Sequence, residues 1–323
     1  MTTAPDQPST AVAVTEEANS AATHLRIGVV GLGHMGQAFA LNLVADGYPV
    51  MAYDRDPERM RDCPGAVAAM GPRDLANCDV VISSLPNDEA LEAVALGDGG
   101  LVSVMGRGAA HISTSTVSPA ISRRVAREHE ARGQRYVAAP ILGNPDLAHA
   151  RKLFVLAAGR PEALAAAKPV LARLSQRIFV IGDDPGLGNL MKLAGNVLTA
   201  TTLATMGEVL ALLRKGGIDQ NLAFDVLTNS LFDSRVHRTY GGKIVKERYR
   251  PAGMVVPLAL KDVRLALAEA EREAVPMPSA SLVRDRLVGV IARGWGEFDW
   301  SALGLLAAWD AGLGDSGEAP NRP

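Results

Sequence analysis

From Leu25 onward, short apolar runs alternate with longer stretches whose apolar residues recur every three or four positions. LRIGVV, YPVMAY, CDVVISSL, GAAHIST and QRYVAAP read as strands, with amphipathic helices between them. Such alternation predicts βαβ units around a mostly parallel sheet. KLFVLAAG and RIFVIG flank a helix that starts near Pro161, and they are expected to complete the sheet. After Gly182 the pattern changes. DDPGLG carries turn chemistry, and four helices are expected beyond it, near 189–215, 221–231, 257–273 and 280–293. The expected organisation is an α/β domain at 25–184 followed by an all-α domain at 185–313, and no internal repeat interrupts it.

The most apolar long segment is GLGNLMKLAGN, running on to Leu213, and between Leu190 and Leu213 its only charged side chains are Lys192 and Glu208. A helix apolar on nearly every face is normally buried, and a buried lysine is rare enough to need a reason. Gly188, Lys192 and Asn196 are each four residues apart, with Thr199 on the same stripe, so they rise as a polar seam along one face. Gly188 lets a neighbour approach closely, Lys192 offers a proton, and Asn196 can hydrogen-bond the lysine or a ligand. A solitary helix lysine would be read as a snorkelling side chain; the seam favours chemistry.

Composition narrows the classes of function. A chain of 323 residues exceeds one comfortable core, so two domains are expected. Basic and acidic residues nearly balance, 33 against 35, with no long run of either sign, which removes the footprint of a nucleic-acid binder. Cys63 and Cys78 have neither CxxC nor zinc spacing and fit a reducing, cytoplasmic setting. His34, His111, His129 and His149 suggest no metal cage, and no metal is expected. Residues 1–24 lack the basic start and apolar core of a secretory signal and read as a disordered tail, as does 314–323. No run of about 18 uninterrupted apolar residues occurs, so no membrane partner is expected.

LRIGVVGLGHMGQAFALNL sets Gly31, Gly33 and Gly36 between an apolar strand and an apolar helix. In that context Gly31 permits the tight turn, Gly33 lets the backbone approach a pyrophosphate, and Gly36 lets the helix pack on the strand. Gly31, Leu32, Gly33, His34, Met35 and Gly36 therefore form the expected dinucleotide cradle at a helix N-terminus. The second strand ends in Tyr53-Asp54-Arg55, with Asp54 eighteen residues beyond Gly36. A carboxylate there accepts hydrogen bonds from a ribose 2′-hydroxyl and repels a 2′-phosphate, which favours NAD. Arg55 keeps NADP open, since its guanidinium could hold that phosphate, lie over the adenine or simply be solvated.

Taken in order, the glycine loop, HISTSTVSP, APILGN, GLGNLMKLAGN and LALKDVRLALAEA resemble the β-hydroxyacid dehydrogenase family over about 25–313. The resemblance implies a Rossmann-type doubly wound sheet followed by an α-helical domain. It implies an NAD(P)-dependent oxidoreductase that moves hydride between nicotinamide and a carbonyl or alcohol carbon. Lys192 falls on the family's catalytic lysine in G-x-x-x-K-x-x-x-N, as general acid in reduction and general base in oxidation. Ser115, Thr116 and Pro119 fall on S-T-x-x-P, where Ser115, Thr116 and Asn196 would orient the substrate. Lys261 of the Lys261-Asp262 pair would contact the cofactor, and Leu85 and Pro86 complete the cofactor-binding set. A homodimer through packed α domains is implied as well, and the length of the apolar helix points the same way.

Local readings stand beside these. ISTSTVSP also reads as a strand end followed by an N-cap at Ser118 with Pro119 in the first turn, and Lys261-Asp262 also reads as a surface charge pair. Phe232 and Tyr240 could line the pocket or belong to the core. The family's substrate loop, D-A-P-V-S-G-G, reads Ala138-Ala139-Pro140-Ile141-Leu142-Gly143-Asn144 in this chain. Leucine cannot hydrogen-bond a carboxylate, so a more apolar pocket is expected. Two alternatives follow: imine reduction, whose enzymes generally carry aspartate or tyrosine where Lys192 stands, and a catalytically silent dinucleotide-binding module.

Overall fold

The computed structural model describes residues 24–314, so the tails read at 1–24 and 314–323 lie outside the described residues except for His24 and Gly314. Nine strands form one sheet: β1 (Ile27–Val30), β2 (Val50–Tyr53), β3 (Val67–Ala68), β4 (Val80–Ser83), β5 (Ala110–Ser113), β6 (Arg135–Ala138), β7 (Ile141–Leu142), β8 (Leu153–Ala158) and β9 (Ser175–Gly182). Six run parallel in the order β3-β2-β1-β4-β5-β6, the doubly wound arrangement expected from the alternating pattern. Every residue of β1 and β4 is buried, as a central parallel strand covered on both faces requires.

The chain reverses at β8, which pairs antiparallel with both β6 and β7. These two keep one register along β8, from Ala138↔Ala158 to Leu142↔Phe154, and Pro140 separates them. Proline offers no N–H to a ladder, but its carbonyl still accepts from Leu156 N at 2.9 Å. The short strands β3 and β7 carry too little pattern to be read from sequence. The half-exposed β9 closes the edge beside β8.

Helices α1 (His34–Ala45), α2 (Asp88–Leu96), α3 (Pro119–Ala131) and α4 (Pro161–Leu174) accompany the sheet. Ser118 Oγ accepts the Ile121 N–H at 3.2 Å, so the capping reading of ISTSTVSP holds, with Pro119 in the first turn. The long helix α5 (Pro185–Lys215) begins four residues before the expected Asn189. Asp184 caps it by accepting the Gly186 N–H at 2.9 Å and Pro185 fits its first position, so the glycines read as turn residues lie inside the helix. After it come α6 (Gln220–Thr228), α7 (Val256–Arg272), α8 (Pro278–Ala292) and α9 (Ala302–Asp310). Helix α9 is not expected from the sequence, because ALGLLAAWD is apolar all round and shows no amphipathic period.

Helix α5 joins the two halves as one rod. Near its start a Cβ on Gly188 would lie 2.9 Å from the Leu156 carbonyl oxygen, and near its end one on Gly207 would lie 2.5 Å from Gly304 Cα. The helix therefore presses on β8 at one end and on α9 at the other. By length and apolar composition alone α5 could cross a bilayer, although half of its most apolar window is buried within the protein.

Candidate active site

The turn after β1 has the geometry of a phosphate cradle. Gly31 has φ +84°, and a Cβ there would lie 2.4 Å from the Ser84 carbonyl oxygen. A Cβ on Gly36 would lie 1.8 Å from the Gly31 oxygen, so only glycine lets α1 start so close to the strand. At Gly33 the nearest atom would be the tip of the Arg59 side chain at 3.4 Å, so this backbone faces open space. No side chain caps α1 and no acid stands in its first turn. Its first N–H groups and the positive end of its dipole are thus available to an anion, which fits a dinucleotide pyrophosphate. His34 is exposed and Met35 half-buried at this turn.

Asp54 ties the end of β2 to the same turn. One carboxylate oxygen accepts the Leu32 N–H at 2.7 Å and the other accepts the Asp56 N–H at 2.9 Å. Arg55 is exposed beside it.

The ends of β4 and β5 meet α7. Ser115 is buried, and its hydroxyl accepts the Leu85 N–H at 2.8 Å, joining the two strand ends. Lys261 reaches across from α7 and donates to the Pro86 carbonyl at 3.0 Å and to the Thr116 carbonyl, while pairing with Asp262 Oδ1 at 2.9 Å. Asp262 is only 1% exposed, which overturns the surface-pair reading. Leu85, Pro86, Ser115, Thr116 and Lys261, separate in sequence, are gathered here in one cluster.

Asp262 also leads to the lysine. Asn196 Nδ2 donates to Asp262 Oδ2 at 2.5 Å, and Lys192 Nζ donates to Asn196 Oδ1 at 2.9 Å. Lys192 and Asn196 are 6% and 3% exposed. Burial is the main cause that lowers the Lys192 pKa to about 8; the Asp262 carboxylate opposes it and the Lys261 charge reinforces it. Gly188 and Thr199, the other members of the expected seam, have different duties. Gly188 admits the sheet, and the Thr199 hydroxyl bonds the Gly195 carbonyl at 2.9 Å.

Lys192 and Asn196 open onto a cavity of about 470 Å³ between β7–β8 and the helical half. Its walls are largely apolar: Leu142, Leu147, Phe154, Val236, Met254 and Trp300 contribute. Tyr240 lines it too, edge-on to Trp300 at 5.5 Å. Phe232 does not; it borders a neighbouring groove with Met206 and Leu227. Asn144 also lines the cavity, with its side chain accepting the Leu147 N–H at 3.0 Å as a helix cap.

Comparisons with known proteins agree with this geometry. A model of the NAD-binding domain of 6-phosphogluconate dehydrogenase matches residues 26–182. One for the NAD-binding region of NADP-dependent 3-hydroxyisobutyrate dehydrogenase matches 186–306. An uncharacterized oxidoreductase of Bacillus subtilis is 37% identical over 282 residues, 86% of this chain and 98% of the relative. A 3-hydroxyisobutyrate dehydrogenase of Pseudomonas aeruginosa is 31% identical over 80% of this chain and 90% of its own. The chain belongs to the β-hydroxyacid dehydrogenase family. It is an NAD(P)-dependent oxidoreductase. Among solved structures, the 3-hydroxyisobutyrate dehydrogenase of Salmonella typhimurium superposes with TM-score 0.79 at 25% identity, covering 87% of this dehydrogenase and 99% of its own chain. An imine reductase from Pseudomonas shares the fold at TM-score 0.57 and 21% identity.

Sequence reasoning did not find the far wall of the cavity in this dehydrogenase. Phe154, Arg235, His237, Met254 and Trp300 come from four separate segments and carry no shared spacing. It also assigned no chemistry to His111 and His129, which lie in the core of the nucleotide half. Ser83 Oγ, His111 Nε2 and Nδ1, His129 Nε2 and Nδ1, and Gln134 Oε1 form a buried chain with links of 2.8, 2.9 and 2.7 Å.

Proposed function

We propose that Lys192 supplies the proton when this dehydrogenase reduces a carbonyl whose body is apolar, and removes it in the reverse direction. A bound nicotinamide dinucleotide supplies the hydride chemistry. The observation carrying the reading is a buried lysine, with its pKa lowered to about 8, opening onto an apolar cavity. With a pKa near the working pH, Lys192 Nζ can both hand a proton to a carbonyl oxygen and take one from an alcohol. Asn196 fixes the direction of the ammonium, and Asp262 fixes the Asn196 amide. The cofactor would lie along Gly31–Gly36, with Asp54 at its ribose and Leu85, Pro86 and Thr116 beside its reactive end. Lys261 would hold those last strand ends in place. Ser115 would help to orient the substrate, beside its bond to Leu85.

Asp54 supports NAD over NADP. The length of α5, with Leu198 and Leu212 exposed on it, supports a homodimer. Light scattering should give twice the chain mass of 33.9 kDa; a stable monomer would overturn that expectation. A cytoplasmic enzyme with neither nucleic-acid nor membrane partners fits the two buried free cysteines and the near-zero net charge, and the working division is 25–184 for the cofactor and 185–313 for the substrate and dimer.

The test is oxidation of NADH and NADPH at 340 nm with a panel of aldehydes, ketones, semialdehyde acids and cyclic imines. Carbonyl compounds with an apolar body should be reduced faster than tartronate semialdehyde. Turnover of imines alone, or of nothing, would overturn the reading.

A further inference from the structure

The cavity onto which Lys192 opens is lined by basic side chains and by no acidic one. None of its lining residues is Asp or Glu, while Lys192, Arg235 and His237 all contribute to it. His237 Nδ1 is taken by Ser234 Oγ at 2.7 Å. Arg235 is different. Among the described residues it forms no ion pair, and its guanidinium lies over the Phe154 ring, 5.5 Å from the centroid. Phe154 stands opposite Leu142 in the β7–β8 ladder, so an apolar wall supports the guanidinium from one side. A guanidinium on an aromatic face keeps its five N–H donors in plane and free for a bidentate partner. Leu142, on that same wall, can bond no carboxylate.

We propose that Arg235 is the carboxylate anchor of this dehydrogenase, and that its substrates are oxo or hydroxy acids whose carboxylate is separated from the reacting carbon by an apolar spacer. This rests on the reading of the cavity as the substrate site. Lys192 and Arg235 then hold the two polar ends of one molecule: the reacting oxygen faces Lys192, the carboxylate faces Arg235, and the methylenes lie against Leu142 and Phe154. The two cations serve different ends, so the carboxylate does not compete for the proton donor.

The probes are 6-oxohexanoate and its methyl ester as substrates, with hexanoate and hexanamide as unreactive ligands of the NADH-loaded enzyme. A charge-assisted bidentate contact should give the acid a ~10- to 100-fold higher kcat/KM than the ester, mostly through KM. Arg235→Gln should abolish that preference by lowering kcat/KM for the acid far more than for the ester, and Arg235→Lys should restore part of it. Arg235 is exposed and makes only a ring contact, so the variants should keep the native melting temperature. In calorimetry hexanoate should bind the native holoenzyme more tightly than hexanamide does, and the R235Q holoenzyme should show no difference. Equal turnover of acid and ester, or a preference that survives in R235Q, would overturn the anchor while leaving the cavity as the substrate site. Failure of both compounds with both cofactors would overturn the anchor and the reading beneath it.

Discussion

Two buried polar chains cross this molecule, and they differ in charge and in access. The chain Lys192–Asn196–Asp262–Lys261 contains three ionisable groups and ends at a cavity. The chain Ser83–His111–His129–Gln134 is sealed within the sheet and its helices. In the second, Gln134 Nε2 donates to the carbonyls of Val102 and Met105, at 3.2 and 2.6 Å, which leaves Oε1 to accept from His129 Nδ1. His129 Nε2 must then accept from His111 Nδ1, and His111 Nε2 from the Ser83 hydroxyl. Every donor meets one acceptor and both rings are neutral. Burial holds His111 well below the ordinary histidine pKa, helped by the neighbouring His129, and burial pushes His129 down to about 4. The lesson is that burial of polar groups does not mark a catalytic site. A proton that can leave, on a group that titrates near neutrality beside an open cavity, does.

Breaking the first chain should destroy chemistry and spare the fold. Lys192→Met keeps the length and apolar contacts, so folding and NADH binding should survive while kcat falls by a factor on the order of 10² to 10⁴. Steady-state rates beside a fluorescence titration of NADH check this, and a variant retaining a tenth of the native kcat would make the lysine structural.

Acid should break the second chain and spare the chemistry until the fold goes. The unfolded chain takes up protons on His111 and His129 below about pH 6.5, whereas the folded chain keeps both neutral. Stability is therefore full above that pH and is lost as pH falls toward the folded value of about 4 for His129. For His129 alone the difference from its ordinary value amounts to about 3 kcal/mol. Denaturant midpoints between pH 7 and 4.5 should fall steadily, and His129→Leu, less stable at pH 7, should show a shallower fall. A flat profile in the native protein would show that the chain is not what acid attacks.

A smaller change sharpens the contrast. The carboxylate of Asp262 raises the Lys192 pKa against the effect of burial. Reduction, which needs the protonated lysine, should decline as pH rises through about 8, and oxidation should rise over the same range. Asp262→Asn should move both limbs to lower pH and, for a fall of about one pKa unit, slow reduction at pH 8 by ~5-fold, as the protonated fraction drops from about a half to about a tenth. Limbs that stay where they were would remove Asp262 from the proton's surroundings.

The smallest effect is expected at Asp54, which combines both kinds of duty. It ties Leu32 and Asp56 by backbone hydrogen bonds and also stands where a ribose would lie. Asp54→Ala should weaken NADH several-fold and narrow its advantage over NADPH. Tighter binding of NADPH than NADH by the native protein would remove the basis for the NAD preference.

What could be read from the sequence was whatever repeats locally. The alternating runs identified seven strands, and the fourfold spacing of Gly188, Lys192 and Asn196 identified the seam, because one helix carries all three. Asp262 escaped that reading since its partner lies 66 residues away, across two packed helices. Arg235 sits in an irregular segment, and the two histidines meet only because β5 and α3 stack, so no spacing announces them. The glycine at 188 predicts a close approach, and what approaches it is the sheet.

That contact determines which parts can move together. The first turns of α5 are pressed onto β8 through a position too narrow for a methyl group, while the same helix runs unbroken into the helical half. Lys192, one turn beyond Gly188, thus belongs mechanically to the nucleotide half. The placement of that side chain against the sheet is therefore set by one glycine contact in the first turns of α5, so a larger residue at 188 would displace Lys192 from the strands that carry the cofactor cradle.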